Sequence, residues 1–144
     1  MKKLLLCALA LYSIHLNVHA QDMNINISNE WARPILIEGR PGSAYLQIEN
    51  TGNANDKLVS VSSTVSPRIE IHEHTMKDGV MKMSKVDFIE IKASSNVKLS
   101  PGGYHLMIFD ATSKYDIGDH IDLTLNFENA GSITKTFKVM MQQP

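Results

Sequence analysis

From residue 25 onward, apolar and polar side chains alternate in short runs, and each run is broken by turn chemistry before a helical period can establish itself. The alternating or β-branched runs predict ten strands, at residues 25–27, 43–48, 58–62, 68–74, 81–86, 88–92, 96–99, 104–109, 120–127 and 134–140. Between them fall Arg40-Pro41-Gly42, Asn50-Thr51-Gly52-Asn53, Asp78-Gly79, Pro101-Gly102-Gly103, Ile117-Gly118-Asp119 and Asn129-Ala130-Gly131, which supply the left-handed and fixed-φ positions that tight turns need. No stretch pairs a 3.6-residue apolar period with start and stop signals. Many short strands at close spacing predict an all-β sandwich or barrel, and no repeat, low-complexity tract or linker divides it.

Two of these runs carry unusual side chains on their polar faces. In 68–74, Ile69 and Ile71 share one face, and Glu70, His72 and His74 the other. In 104–109, Tyr104, Leu106 and Ile108 face the core, which turns His105 and Met107 together to the opposite side. Asp78-Gly79 predicts a hairpin that folds Met83 back beside the strand of His72. His72, Met83, His105 and Met107 therefore form the pattern H-x10-M-x21-H-x-M. Two imidazoles with two neutral, soft thioethers, and no thiolate or carboxylate, suit one Cu(I) ion better than zinc, calcium or magnesium.

The compartment fits that chemistry. Lys2 and Lys3, the apolar run 4–11 and the small-residue site Val18-His19-Ala20 read as a secretory signal cleaved after Ala20, leaving residues 21–144 as a single domain in the periplasm. The apolar run is shorter than the ~20 residues that span a bilayer, so no stable membrane insertion is expected. Cys7, the one cysteine, lies inside the removable segment, and no Cys stands at the cleavage point to accept a lipid. A disulfide framework is excluded. Without Lys2 and Lys3 the chain has twelve basic and fifteen acidic residues, with no basic stripe for nucleic acid and no polybasic patch for anionic lipid.

Enzyme classes fare poorly. A blue-copper carrier needs a Cys thiolate at the metal, and thiol chemistry needs a Cys nucleophile. No nucleophile elbow is present, and hydrolytic zinc sites use N or O ligands around an open water position. The protein is expected not to be an enzyme.

The segments Ile71-His72-Glu73, Gly79-Val80-Met81-Lys82-Met83 and Leu99-Ser100-Pro101-Gly102-Gly103-Tyr104-His105-Leu106-Met107 resemble the signature of the periplasmic copper chaperones called PCuAC. Trp31-Ala32-Arg33, Ala44 to Gly52, Leu58-Val59, Gly118-Asp119 and Leu123 to Gly131 extend the resemblance over nearly the whole mature chain. It implies a cupredoxin-like Greek-key β-sandwich or barrel that holds one Cu(I) through His72, Met83, His105 and Met107. It also implies delivery to an acceptor, the binuclear copper site of cytochrome c oxidase, alongside a Sco-type protein, by a monomer. The rival expectation is a periplasmic copper buffer or resistance protein without a dedicated acceptor. Position 74, often Met in such sequences, is His74, and the tail Val139-Met140-Met141-Gln142-Gln143-Pro144 lacks the His of relatives with a second site. His74 is expected to be solvated or to lie behind the ligands, Met76 and Met81 to shield the site or pack, and His120 to be structural. Glu70 and Glu73 are expected in solvent, with one of them available to orient a ligand imidazole.

Overall fold

The structure is a computed structural model that describes residues 24–142; the signal segment 1–20 and its cleavage site lie outside the described residues. All ten predicted runs are strands: β1 (Ile25–Ala32), β2 (Gly42–Asn50), β3 (Asp56–Ser62), β4 (Arg68–Lys77), β5 (Val80–Lys85), β6 (Ile89–Ile91), β7 (Ser95–Leu99), β8 (Tyr104–Phe109), β9 (His120–Phe127) and β10 (Gly131–Val139). No helix occurs among the described residues.

Several strands run further than their alternation predicts, and in β1 and β4 the reasons differ. In β1 the register against β2 shifts between Ser28 and Trp31, where Asn29 takes a positive φ of 58°. This irregularity puts the consecutive Trp31 and Ala32 both under cover and erases the period-two signal. β4 continues to Lys77 as half of a ribbon exposed on both sides, so nothing apolar marks one face as the inner one.

The hydrogen-bonded order is β5-β4-β8-β2-β1-β10-β9-β3-β6, with β7 also on β2. β1 joins the two halves, antiparallel to β2 and parallel to β10 through Trp31 and Ala32. The halves close over one core. Leu46, Ile48, Ile71, Leu106 and Ile108 from one side meet Leu58, Ile89, Leu123, Leu125 and Phe137 from the other. Gly42 is required where β2 begins, because a Cβ there would stand 2.6 Å from the buried Ile35 side chain.

β2 positions the site. Its first residues pair with β8, from Gly42 opposite Ile108 to Ala44 opposite Leu106, and its later residues pair with β7, from Leu46 opposite Leu99 onward. Residues 100–105 thus stand out from the ladder opposite Tyr45 alone. A tight turn shapes this excursion: the Gly103 N–H donates to Ser100 O at 3.0 Å and the Ser100 N–H to Tyr104 O at 2.9 Å. Gly102 adopts φ 86° within it. The chain rejoins the sheet beside β4 at Tyr104, and His105 is the next residue in that ladder.

Candidate metal centre

Cross-strand register gathers the predicted residues on one face. His72 stands opposite His105 and Glu70 opposite Met107 between β4 and β8. β4 then turns through Asp78 and Gly79, with φ of 53° and 77°, the paired positive values that a two-residue type I′ hairpin demands. That turn sets Met83 opposite His74 and Lys85 opposite His72. Met83 is therefore diagonal to His72, two pairs further toward the ribbon tip. Residues two apart on a strand, and residues directly opposite, share a sheet face. Glu70, His72, His74, His105, Met107 and Met83 consequently lie on one side, while Ile71, Leu106 and Ile108 on the other side are in the core.

The two imidazoles are fixed in complementary tautomers. His72 Nε2 lies 2.8 Å from Glu70 Oε2; an ionised carboxylate only accepts, so Nε2 carries the proton and donates. His72 Nδ1 is left as a bare lone pair, buried and without a hydrogen-bond partner. His105 Nδ1 lies 3.1 Å from the Gly103 carbonyl oxygen, which only accepts, so His105 presents Nε2 as its lone pair. A carboxylate or carbonyl behind each ring is the arrangement that orients metal-binding histidines and raises their basicity.

Charge supports these assignments. The His72 hydrogen bond is the chief cause holding the Glu70 carboxyl below its ordinary range; partial burial opposes it, and Arg68 and Lys85 assist. Arg68 donates to Glu70 Oε1 at 3.1 Å. Burial pushes the His105 imidazole below its ordinary value, against the Gly103 hydrogen bond and with help from the neighbouring His74 and His72. A neutral His105 is the ligand form.

The surroundings are more enclosed than strand alternation suggests. The ligand faces were expected to be exposed, yet His72 is 8% and His105 3% exposed, because rings close over them. Trp31 stacks on Tyr45 at 4.5 Å between centroids, Tyr45 approaches His105 at 6.4 Å, and His74 stacks on His105 at 4.8 Å. Phe109 flanks His72 at 5.9 Å between centroids, and the Arg68 guanidinium lies over the Phe109 ring, 3.9 Å from its centroid. Met107 is half-buried, and Met83, at 45% exposed, forms the open rim.

For Glu70 and His74 the structure decides between two expected placements, and for Met76 and Met81 it corrects the expectation. Of its two expected roles Glu70 takes the second: it is bound to the His72 imidazole, and to Arg68, and is not simply solvated. His74 is half-buried against His105, with a buried Nδ1 that has no hydrogen-bond partner. Met76 and Met81 neither pack nor shield, being 67% and 59% exposed. His120 lies exposed at the start of β9. Tyr45 and the Gly103 carbonyl went unnoticed in the sequence. The tight Pro101-Gly102-Gly103 turn was the available signal for the second, whereas Tyr45 reads as one more strand aromatic.

No group of three or more His, Cys, Asp or Glu among the described residues is arranged to hold a metal ion. The thioethers of Met83 and Met107 share this face with the imidazoles, and soft sulfur ligands of that kind suit a monovalent ion.

Residues 25–139 match the LpqE-like family, described as "Putative lipoprotein LpqE-like", and the chain belongs to that family. It is 32% identical over 124 residues to the Rickettsia prowazekii protein RP573, across 83% of this chain and 68% of that one. It is 26% identical over 127 residues to the Leifsonia xyli lipoprotein Lxx21020, across 83% of this chain and 75% of that one. Among solved structures it resembles the copper-bound PCuAC domain from PmoF2, with a TM-score of 0.68 and 26% identity over 82% of this chain and 93% of that domain. The all-β, cupredoxin-like architecture expected from the sequence is the one the chain shares with that domain.

Proposed function

We propose that this protein is an exported copper carrier that holds one Cu(I) ion as cargo and passes it to an acceptor protein. The observation that carries this reading is the pair of opposed, buried imidazoles, each with one nitrogen engaged and the other presenting a lone pair. The ligands we assign are His72 Nδ1, His105 Nε2 and the sulfurs of Met107 and Met83. All four are neutral, so the ion keeps a single positive charge in a semi-enclosed site whose nearest carboxylate, Glu70, lies behind His72.

Likeness to a copper-bound PCuAC domain supports copper as the cargo. The thioether pair supports Cu(I) as its oxidation state. Release is as important to a carrier as binding, and the exposed Met83 gives an incoming ligand a place to start. The resemblance to PCuAC chaperones supports the binuclear copper site of cytochrome c oxidase as the destination, with a Sco-type protein as co-worker. Such a carrier acts as a monomer and performs no catalysis. The lipoprotein descriptions of the family and of Lxx21020 support export, and we place the protein in the periplasm.

X-ray absorption of the protein loaded with one equivalent of Cu(I) tests the assignment. The expected first shell contains both nitrogen and sulfur; a shell of nitrogen and oxygen alone would sink it.

A further inference from the structure

Beyond His74 the β4–β5 ribbon leaves the body of the sandwich, and every residue from Thr75 to Met83 is exposed. One side of this ribbon carries His74, Met76, Met81 and Met83; the other carries Thr75, Lys77, Val80 and Lys82. The soft side chains are paired across the ladder, Met76 opposite Met81 and His74 opposite Met83. Both pairs are of the close kind. The His74 N–H donates to Gly103 O on the β8 side at 3.2 Å, so the His74 backbone turns away from β5, and alternation gives Met76 the same orientation. In such pairs the Cα atoms are about 4.5 Å apart and the side chains nearest one another.

Two thioethers are thus placed side by side in water at the ribbon's end. The next pair inward adds another thioether and an imidazole whose buried Nδ1 has no hydrogen-bond partner. Flexible, neutral sulfur ligands on a solvent-exposed ribbon suit transient capture of a soft cation.

Resting on the copper reading above, we propose that Met76 and Met81, together with His74 and Met83, form an outer Cu(I) subsite through which the ion travels to and from the buried His72 and His105. Met83 is common to both positions. An ion held by Met76, Met81 and Met83 exchanges the first two sulfurs for imidazole nitrogens while its bond to Met83 persists. Copper stays monovalent throughout, no proton or electron moves, and the ion is never free. Outward transfer reverses the same exchanges and presents copper at the tip of the ribbon, where an acceptor reaches it without opening the sandwich.

Nuclear magnetic resonance of the mature protein with 13C-labelled methionine methyls, titrated with Cu(I) under anaerobic conditions, tests the subsite. The Met83 and Met107 methyl signals are expected to move with the first equivalent, and those of Met76 and Met81 with the second. The double variant Met76→Leu/Met81→Leu should keep the first set of shifts, lose the second equivalent and load more slowly from Cu(I)-glutathione in stopped flow. If Met83 and Met107 respond while Met76 and Met81 stay unmoved through the second equivalent, the outer subsite is wrong and the copper reading stands. Loading of the double variant at the parent rate overturns the transit role. If none of the four methyls responds, the copper reading falls and the subsite with it.

Discussion

His72 and His105 stand directly opposite one another on β4 and β8, with ring centroids 5.8 Å apart, and a different nitrogen of each is held in a hydrogen bond. The asymmetry comes from what lies behind each ring. A carboxylate two residues back on the same strand captures Nε2 of His72, whereas a carbonyl in the Pro101-Gly102-Gly103 turn captures Nδ1 of His105. Preorganisation of this kind means that little rotamer freedom remains for the ion to remove, so binding energy is not spent on ordering the imidazoles.

Sulfur is separable from shape at this site. Met83→Leu and Met107→Leu preserve size and apolarity, and such exchanges usually cost less than about 1.5 kcal/mol of stability; for the exposed Met83 the cost should be smaller still. Copper affinity, measured by competition with a chromophoric Cu(I) chelator, should fall sharply in both while thermal melts stay near the parent's. Parent-like affinity in both variants would remove the thioethers from the ligand set.

Glu70→Gln keeps a hydrogen-bonding group beside His72 but loses its charge, and loss of a partner behind a metal-binding histidine typically costs about 10- to 100-fold in metal affinity. The same carboxylate predicts a pH dependence of the apo protein. Its folded pKa is depressed, so its contribution to stability is complete above the unfolded carboxylate's pKa and is lost as pH falls through the folded one. The stability gap between parent and Glu70→Gln, followed by urea unfolding, should therefore be largest near neutrality and close under acid conditions. A gap that widens with acidity would show that Glu70 is not ion-paired in the apo state.

The strands were legible because one face of nearly every one is buried, and burial on one side imposes a period of two. The pairing of His105 with Met107 on a single face follows from that period alone. What the period does not encode is which strand lies next to which. The neighbourhood of Tyr45 and His105 depends on β2 being shared between β7 and β8, a long-range choice with no local sequence mark. The His74–Met83 pairing was implicit in Asp78-Gly79, since a two-residue turn fixes the register of everything behind it. The outer reach of β4 and the exposure of Met76 and Met81 were hidden for the opposite reason: a ribbon with no buried face has no alternation to read.

Metal should be a passenger in this fold. The core that joins β2, β4 and β8 to β3, β9 and β10 is apolar and continuous, and the candidate ligands lie on the other face of β4 and β8. Chelation should lower the melting temperature by the binding free energy withdrawn and leave the β circular-dichroism spectrum intact at room temperature. Collapse of that spectrum would make the ion a structural cofactor, as in small metal-folded domains.

Export makes a sharp prediction about the N-terminus. If the chain is cleaved after Ala20 as proposed, Cys7, the one cysteine, is lost, and intact-mass measurement of the exported protein should give a chain beginning at Gln21 with no thiol and no lipid. A mature chain that retains an acylated Cys7 would place the protein on a membrane surface as a lipoprotein and restrict its acceptors to those within reach of that surface.

Transfer is the property that distinguishes a carrier from a buffer, and it is a matter of exchange as well as affinity. In the proposed site the imidazoles are buried, Met107 is half-buried and Met83 alone forms the rim, so an acceptor ligand would meet Met83 first and draw the ion outward before either imidazole must let go. Mixing the Cu(I)-loaded protein with an apo domain carrying the oxidase binuclear site should move copper to that domain at near-stoichiometric ratios, read from the copper content of the separated proteins. His105→Ala should abolish loading and therefore delivery, even though Leu106 and Ile108 keep β8 seated in the core. If the parent protein retains its copper against every apo acceptor offered while binding it tightly, storage and not delivery is what this site is built for.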